Sequence, residues 1–182
     1  YTTLFRSVTH PSTAAAAVGI ERFVLDDGWF HGRHHDRAAL GDWWPDASKF
    51  PQGLGDLVAH VNALGMEFGL WFEPEMINPD SDLYRAHPDW VIHFKDRPRS
   101  ELRNQMVLNL ARKDVYEHLL TVLDKLLVEH DIAFLKWDHN RDLIDVAHGG
   151  RPAGQGVRCR CRGAPVPRGG RGSATPSRAR GR

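Results

Sequence analysis

Short apolar runs that stop on acids alternate with segments of helical period, and this alternation is what most narrows the fold. Residues 20–27 (IERFVLDD), 66–72 (MEFGLWF) and 132–138 (IAFLKWD) each have the length and apolar content of a buried strand, and residues 106–110 (MVLNL) are a further candidate. Between them Leu54, Leu57, Val58, Val61 and Leu64 recur at helical spacing, with Gly65 where a helix stop belongs. Asp114 and Glu117 have the spacing of a capping box. They open a second helix whose apolar stripe is Val115, Leu119, Leu120, Leu123, Leu126 and Leu127. Strands that alternate with helices imply a parallel sheet with right-handed crossovers. The polar residues at the strand C-termini fall where parallel α/β folds place their active sites. No Gly-rich phosphate loop follows any strand, so a (β/α)8 TIM barrel fits better than a doubly wound sheet. A full barrel takes roughly 250 residues. The sequence therefore predicts an α/β fold that is a partial barrel, with about half of the strand–helix units.

Charge divides the chain in two. Residues 147–182 contain nine of the 24 basic residues, all of them Arg, and no Asp, Glu, Leu, Ile or Phe. Residues 1–146 keep 15 basic against 23 acidic residues, a formal charge of −8. The body is thus acidic, which argues against nucleic-acid affinity there. Both cysteines, Cys159 and Cys161, lie in the tail, so the body has no disulfide framework. No apolar run approaches the roughly 20 residues of a membrane span. The tail is Arg/Gly-rich and is expected to be disordered, since it lacks the apolar residues of a core. Its charge suits non-specific phosphate contact, as in RNA binding, yet it has no aromatic residue for base stacking. GC-rich codons read out of frame give the same composition, and a frameshift is the favoured reading.

The segments FVLDDGWF (23–30), LGDW (40–43), GLWFEPEM (69–76), HPDW (87–90) and LKWDHNR (135–141) are similar to those of bacterial α-galactosidases of glycoside hydrolase family 36. The resemblance runs in order from Val18 to Asp145, about 70 per cent of the chain. It implies a TIM-barrel catalytic domain over 14–146, a retaining hydrolase of terminal α-galactosyl residues, and no metal or organic cofactor. Melibiose- and raffinose-type α-galactosides are the implied substrates. An α-N-acetylgalactosaminidase, a raffinose-synthase-like transglycosylase and a non-catalytic sugar- or RNA-binding fragment are the alternatives. Family habit, with no signal-peptide pattern at the start, implies a cytoplasmic protein and allows a homo-oligomer of the full-length form.

A retaining glycosidase needs a carboxylate opposite the leaving group to form a glycosyl ester. The resemblance makes Asp138 that nucleophile. Lys136, two residues earlier on the same side of a strand, either holds Asp138 ionised or binds a sugar hydroxyl. Taken alone, the KWD run reads equally well as a strand-end ion pair with Trp137 in the core. Asp26 and Asp27 are assigned by resemblance to galactose hydroxyls, although Asp27–Gly28 also has the composition of a plain turn. Trp71 is assigned as an aromatic wall for the sugar, against the commoner role of a strand Trp in the core. Arg103 and Asn140 are further implied substrate contacts. Glu73, Glu75 and Arg141 are read as organising loops, and His139 as a packing or solvent-facing residue. His31, His34, His35 and Asp36 lack the second cluster that a metal site needs, and no metal is expected.

The second carboxylic acid of the retaining mechanism, ~5–5.5 Å from the nucleophile, has no counterpart in this sequence. Asp142 and Asp145 follow Asp138 too closely, and no acid lies beyond Asp145. The acid/base is therefore expected to be absent from this chain, leaving the fragment inactive. Residues 1–13 begin with YTTLFRS, which reads as a non-native leader.

Overall fold

The computed structural model describes residues 3–94 and 96–141, with the backbone alone for 3–7. Helix α1 (Thr3–Ala17) precedes strand β1 (Arg22–Leu25), which is followed by α2 (Gly55–Ala63) and β2 (Glu67–Phe72). Then come β3 (Met76–Ile77), α3 (Asp82–Ala86), β4 (Met106–Val107), α4 (Lys113–Glu129) and β5 (Phe134–Trp137). Strands β1, β2 and β5 form a parallel sheet in that order, pairing Leu25 with Leu70 and Trp71 with Lys136. The tail 147–182 lies outside the described residues, as do Asp142 and Asp145.

The central strand is the most apolar, as its position requires. Phe68, Leu70, Trp71 and Phe72 of β2 are all buried, whereas β5 is largely exposed. One residue of β2 has no side chain for a steric reason. A Cβ on Gly69 would lie 2.9 Å from Val24 Cγ2 and 3.2 Å from the Phe134 carbonyl oxygen, so glycine lets both neighbours close over it. Helix α2 packs on the sheet through Leu57, Val58 and Val61. Gly65 ends it at φ +81°, with its amide on the Asn62 carbonyl at 2.9 Å and the Met66 amide on Val61 at 3.3 Å. These paired bonds form a Schellman motif, which returns the chain to β2. Helix α1 packs against α2, and its Val8, Ala15 and Ala16 lie on the core.

Two expectations are corrected. Residues 106–110 are not a strand of the parallel sheet: only Met106–Val107 is extended, and it pairs antiparallel with β3. The segment instead closes a small second core of Ile77, Leu83, Trp90, Val91, Met106, Leu108 and Val115. The parallel sheet therefore has three strands among the described residues, one fewer than the sequence suggested. The capping box is also absent. Arg112 takes the N-cap with no side-chain cap bond, and its guanidinium holds the Asp114 carboxylate at 2.7 and 3.0 Å. A charge-assisted pair outcompetes the weaker cap. Along α4 Val115 and Leu126 are buried, but Leu120 and Leu127 of the expected stripe face outward.

The chain from 26 to 54 and the chain from 73 to 112 both leave the C-terminal ends of their strands, and side chains stitch the two together. Asn78 Oδ1 accepts from the Leu40 amide at 2.7 Å. Asp42 accepts from the Asp82 and Leu83 amides at 2.8 and 2.9 Å, so the first insertion caps α3 of the second. Burial pushes the Asp42 carboxyl up from its ordinary value, and the two amides act against that shift.

Gly69→Ala is expected to lower stability by about 1–3 kcal/mol, the usual cost of overpacking. Urea unfolding would show a lower midpoint at unchanged slope, and combining the change with Val24→Ala should cost less than the sum of the two. Strict additivity would mean that the Val24 contact does not set the requirement for glycine.

Candidate active site

In a parallel sheet, residues in register project to the same face. Trp71 is paired with Lys136, and Asp26 continues β1 one step beyond the Leu25–Leu70 pair. Asp26, Trp71 and Lys136 therefore stand abreast across the three strands. Lys136 Nζ reaches over β2 to Asp26 Oδ2 at 2.6 Å. That hydrogen bond raises the lysine above its usual value. Lys136 thus neutralises Asp26 directly, and the Asp138 carboxylate only through space.

Asp138 lies two residues beyond Lys136, on the same side, and its amide extends the ladder by donating to the Phe72 carbonyl at 2.9 Å. The Trp71 indole N–H donates to Asp138 Oδ2 at 3.0 Å, and the His139 amide to Oδ1 at 3.0 Å. The Asn140 side chain also favours the ionised form of this carboxylate. Led by the Trp71 bond, these donors hold the Asp138 carboxyl below the usual carboxylate range, against a smaller opposing effect of burial. A lowered folded value means that ionised Asp138 supports the fold above the ordinary carboxylate range. That support is lost as pH falls through the lowered value. Trp71 is only 3% exposed and lies in an aromatic layer with Phe30, Trp43 and Phe72. Its backbone carbonyl also accepts from Trp29 Nε1 at 2.9 Å. Trp137, the core residue of the plainer reading, is instead 52% exposed.

Asp27 is turned away from Asp26 and toward Arg33, which grips it bidentately at 2.7 and 2.9 Å. Gly28 supplies the turn at φ +106°. The Arg33 guanidinium is itself buried, with further bonds to the Ala38 carbonyl at 2.8 Å and Asn78 Oδ1 at 3.4 Å. Sequence reasoning missed Arg33. Its six-residue spacing from Asp27 is not a secondary-structure period, and only the folded insertion joins them. Reasoning also missed Asp46, which is buried and accepts from the Gly32 and Ser48 amides to shape the same loop.

Arg103 sits at an unusual turn. Arg103 and Asn104 have φ of +56° and +60°, and Leu102 and Gln105 exchange both backbone bonds at 3.0 Å across them. This is a two-residue hairpin of the type that favours Asn and Gly, so an arginine there carries backbone strain. The strain delivers its guanidinium to the Asn140 carbonyl at 3.0 Å. The buried Glu73 carboxylate accepts from the Asn140 amide at 2.6 Å and from Gln105 Nε2 at 3.4 Å. Arg141 donates to the Ser100 and Gln105 carbonyls at 3.1 and 2.6 Å.

The histidines of the first insertion diverge. His31 stacks on Trp44 at 5.1 Å, His34 lies 4.0 Å from Asp46, and His35 bonds the Arg37 amide. Among the described residues, no three metal-ligating side chains converge. None of the described helices is long and apolar enough to cross a membrane.

A family model described as Melibiase matches residues 5–159. The α-galactosidase of Escherichia coli is 52% identical over 139 residues, covering 76% of this chain and 20% of that protein. Alpha-galactosidase AgaA of Geobacillus stearothermophilus is 46% identical over 145 residues, covering 80% and 20%. The crystal structure of a variant of AgaA, a family 36 enzyme, in complex with 1-deoxygalactonojirimycin superposes with a TM-score of 0.78 at 43% identity. That match covers 84% of this chain and 21% of the other. Another AgaA variant, in complex with raffinose, gives 0.77 at 44% identity over 82% and 21%. The chain thus spans about a fifth of the length of the relatives it matches. With the strand-end carboxylates and the family match falling on the same segments, the chain belongs to the Melibiase family, alongside the α-galactosidases of glycoside hydrolase family 36.

Proposed function

We propose that this chain carries the galactosyl-binding and nucleophile side of a retaining α-galactosidase site, built on a partial (β/α)8 barrel. The observation that carries the reading is the Asp138 carboxylate, fixed at a strand end by the Trp71 indole and the His139 amide. A carboxylate so held stays ionised at neutral pH and is already oriented for attack. One Asp138 oxygen bonds to the anomeric carbon of the galactosyl unit as the glycosidic oxygen departs with a proton. Water then cleaves the resulting ester. Asp26 and Lys136 face the same side and hold sugar hydroxyls. Asp27, oriented by Arg33, accepts from a further hydroxyl, and Arg103 and Asn140 complete the set. Trp71, packed into the aromatic layer rather than open as a wall for the sugar, acts on Asp138 through its N–H. The proton donor is assigned to no residue of this chain.

The substrate class is terminal α-galactosides of the melibiose and raffinose type, supported by the AgaA-variant complexes with raffinose and stachyose. A cytoplasmic location and a homo-oligomeric full-length form belong to the same proposal and rest on family resemblance alone.

Titrating the purified chain with galactose, glucose and N-acetylgalactosamine, followed by tryptophan fluorescence, tests the assignment. Galactose is expected to bind best, and Asp26→Ala to weaken it roughly 10–100-fold, the worth of one hydrogen bond to a charged group. Equal binding of galactose and glucose would defeat the reading, and a preference for N-acetylgalactosamine would favour that aminidase. Hydrolysis of melibiose by the same chain is expected to stay at background, because its sugar leaving oxygen has no acid to protonate it.

The strained hairpin separates stability from binding. Arg103→Gly should raise stability by about 0.5–1 kcal/mol, the relief of a left-handed residue less the entropy that glycine costs, whereas Asn104→Gly should leave it nearly unchanged because asparagine already suits that conformation. Only Arg103→Gly should also weaken galactose. If both changes left binding untouched, Arg103 would not be a substrate contact.

A further inference from the structure

Glu75 lies close to the residues on either side of the proposed nucleophile. Its Oε1 accepts from Trp137 Nε1 at 3.3 Å, and its Oε2 lies 3.5 Å from His139 Nδ1. Trp137 and His139 are the residues immediately before and after Asp138. Both have the strand parity opposite to Asp138, so Glu75 grips the polypeptide from the side away from the attacking carboxylate. The gripping residue is anchored in turn. Its carbonyl accepts from the Leu108 amide at 2.9 Å, and β3 begins at the next residue and pairs with β4. Trp137 is also held edge-on against Phe72, at 6.0 Å and 79°. The segment that follows β2 thus reaches across to β5 and fixes both residues flanking its catalytic end.

We infer that Glu75 is a positioning residue, a two-armed carboxylate clamp that sets the direction of the Asp138 carboxylate by holding Trp137 and His139. The inference rests on Asp138 being the nucleophile and adds how it is aimed. One of the donors to Asp138, the His139 amide, belongs to the stretch that the clamp immobilises. Glu73 secures the far end of that stretch through the Asn140 amide. The arrangement explains why a Trp half open to solvent keeps one orientation, and why a histidine beside the nucleophile sits against an acid. Neither feature is needed by the proposed chemistry itself.

A simple charge effect and a clamp predict opposite signs, and this makes the idea testable. Glu75 is an anion near Asp138, so removing its charge alone would lower the Asp138 titration point further. Releasing the clamp loosens a donor that stabilises the ionised form, and the titration point rises. The experiment is a carbon-13 carboxyl NMR titration of Asp138 in the 182-residue chain and its variants. Glu75→Ala is expected to raise the Asp138 titration point by about one pH unit, the worth of roughly one hydrogen bond to a charged group. Glu75→Gln keeps an acceptor for the Trp137 indole but removes the charge, so its Asp138 should titrate slightly below the parent rather than above it. An unchanged or lowered value in Glu75→Ala overturns the clamp. If Glu75→Ala does not fold, Trp137→Phe decides the matter: it keeps the ring and removes one arm. A rise there supports the clamp, and no rise rejects it. No sugar enters this measurement, so a failure to bind galactose would end the proposed function and leave the clamp result standing.

Discussion

The parallel register of β1, β2 and β5 is the constraint from which the site follows. Pairing Leu25 with Leu70 and Trp71 with Lys136 leaves no freedom in which side chains stand abreast at the strand ends. A one-residue slip would send Trp71 or Lys136 to the opposite face, because strand side chains alternate. The Lys136–Asp26 bond spans the full width of β2, and the Trp71–Asp138 bond ties β2 to β5. Each fixes the register from above. From below, Gly69 permits the close approach that lets Val24 and Phe134 pack over the central strand. Register, packing and charge placement are thus three aspects of one arrangement.

Much of this arrangement can be read from the chain itself. The three parallel strands are short apolar runs, although only β2 buries most of its run and β5 stays largely exposed. Helix α2 is equally legible, because Gly65 forms the stop that its position announces. The residues proposed for the site, Asp26, Trp71, Lys136, Asp138 and Asn140, lie at or just beyond strand ends, where the sheet alone brings them near one another. What escaped reading lies in the two insertions. Arg33 meets Asp27, and Asp42 meets α3, through loops of irregular path, where no period relates partners to sequence distance. Residues 106–110 misled for a related reason. An apolar run marks burial, and the small second core buries Met106 and Leu108 without enlarging the sheet. At Asp114, local spacing suggested a cap, but a neighbouring guanidinium offered the carboxylate a better partner.

Asp26 and Lys136 stand open to solvent, but charged residues that support the site are buried. Glu73 is 1% exposed and Arg33 6%, and each is spent on holding another residue rather than facing outward. Buried charges are tolerated only where they are bonded, and both are. Strain is placed just as selectively. The two non-glycine residues of the 103–104 hairpin adopt left-handed backbone at the point where Arg103 must reach Asn140. Such local cost is sustained by the surrounding bonds, here the Asn78 amide on the Asn104 carbonyl at 2.7 Å.

Asp42 gives the two insertions a shared inheritance. Its carboxylate belongs to the first loop but completes the first turn of α3 in the second, and Asn78 returns the favour at Leu40. Neither excursion can be swapped for its counterpart from a divergent relative without orphaning groups in the other. The pair of loops is one folding unit in its hydrogen bonding, even though a whole helix and strand lie between them in the chain.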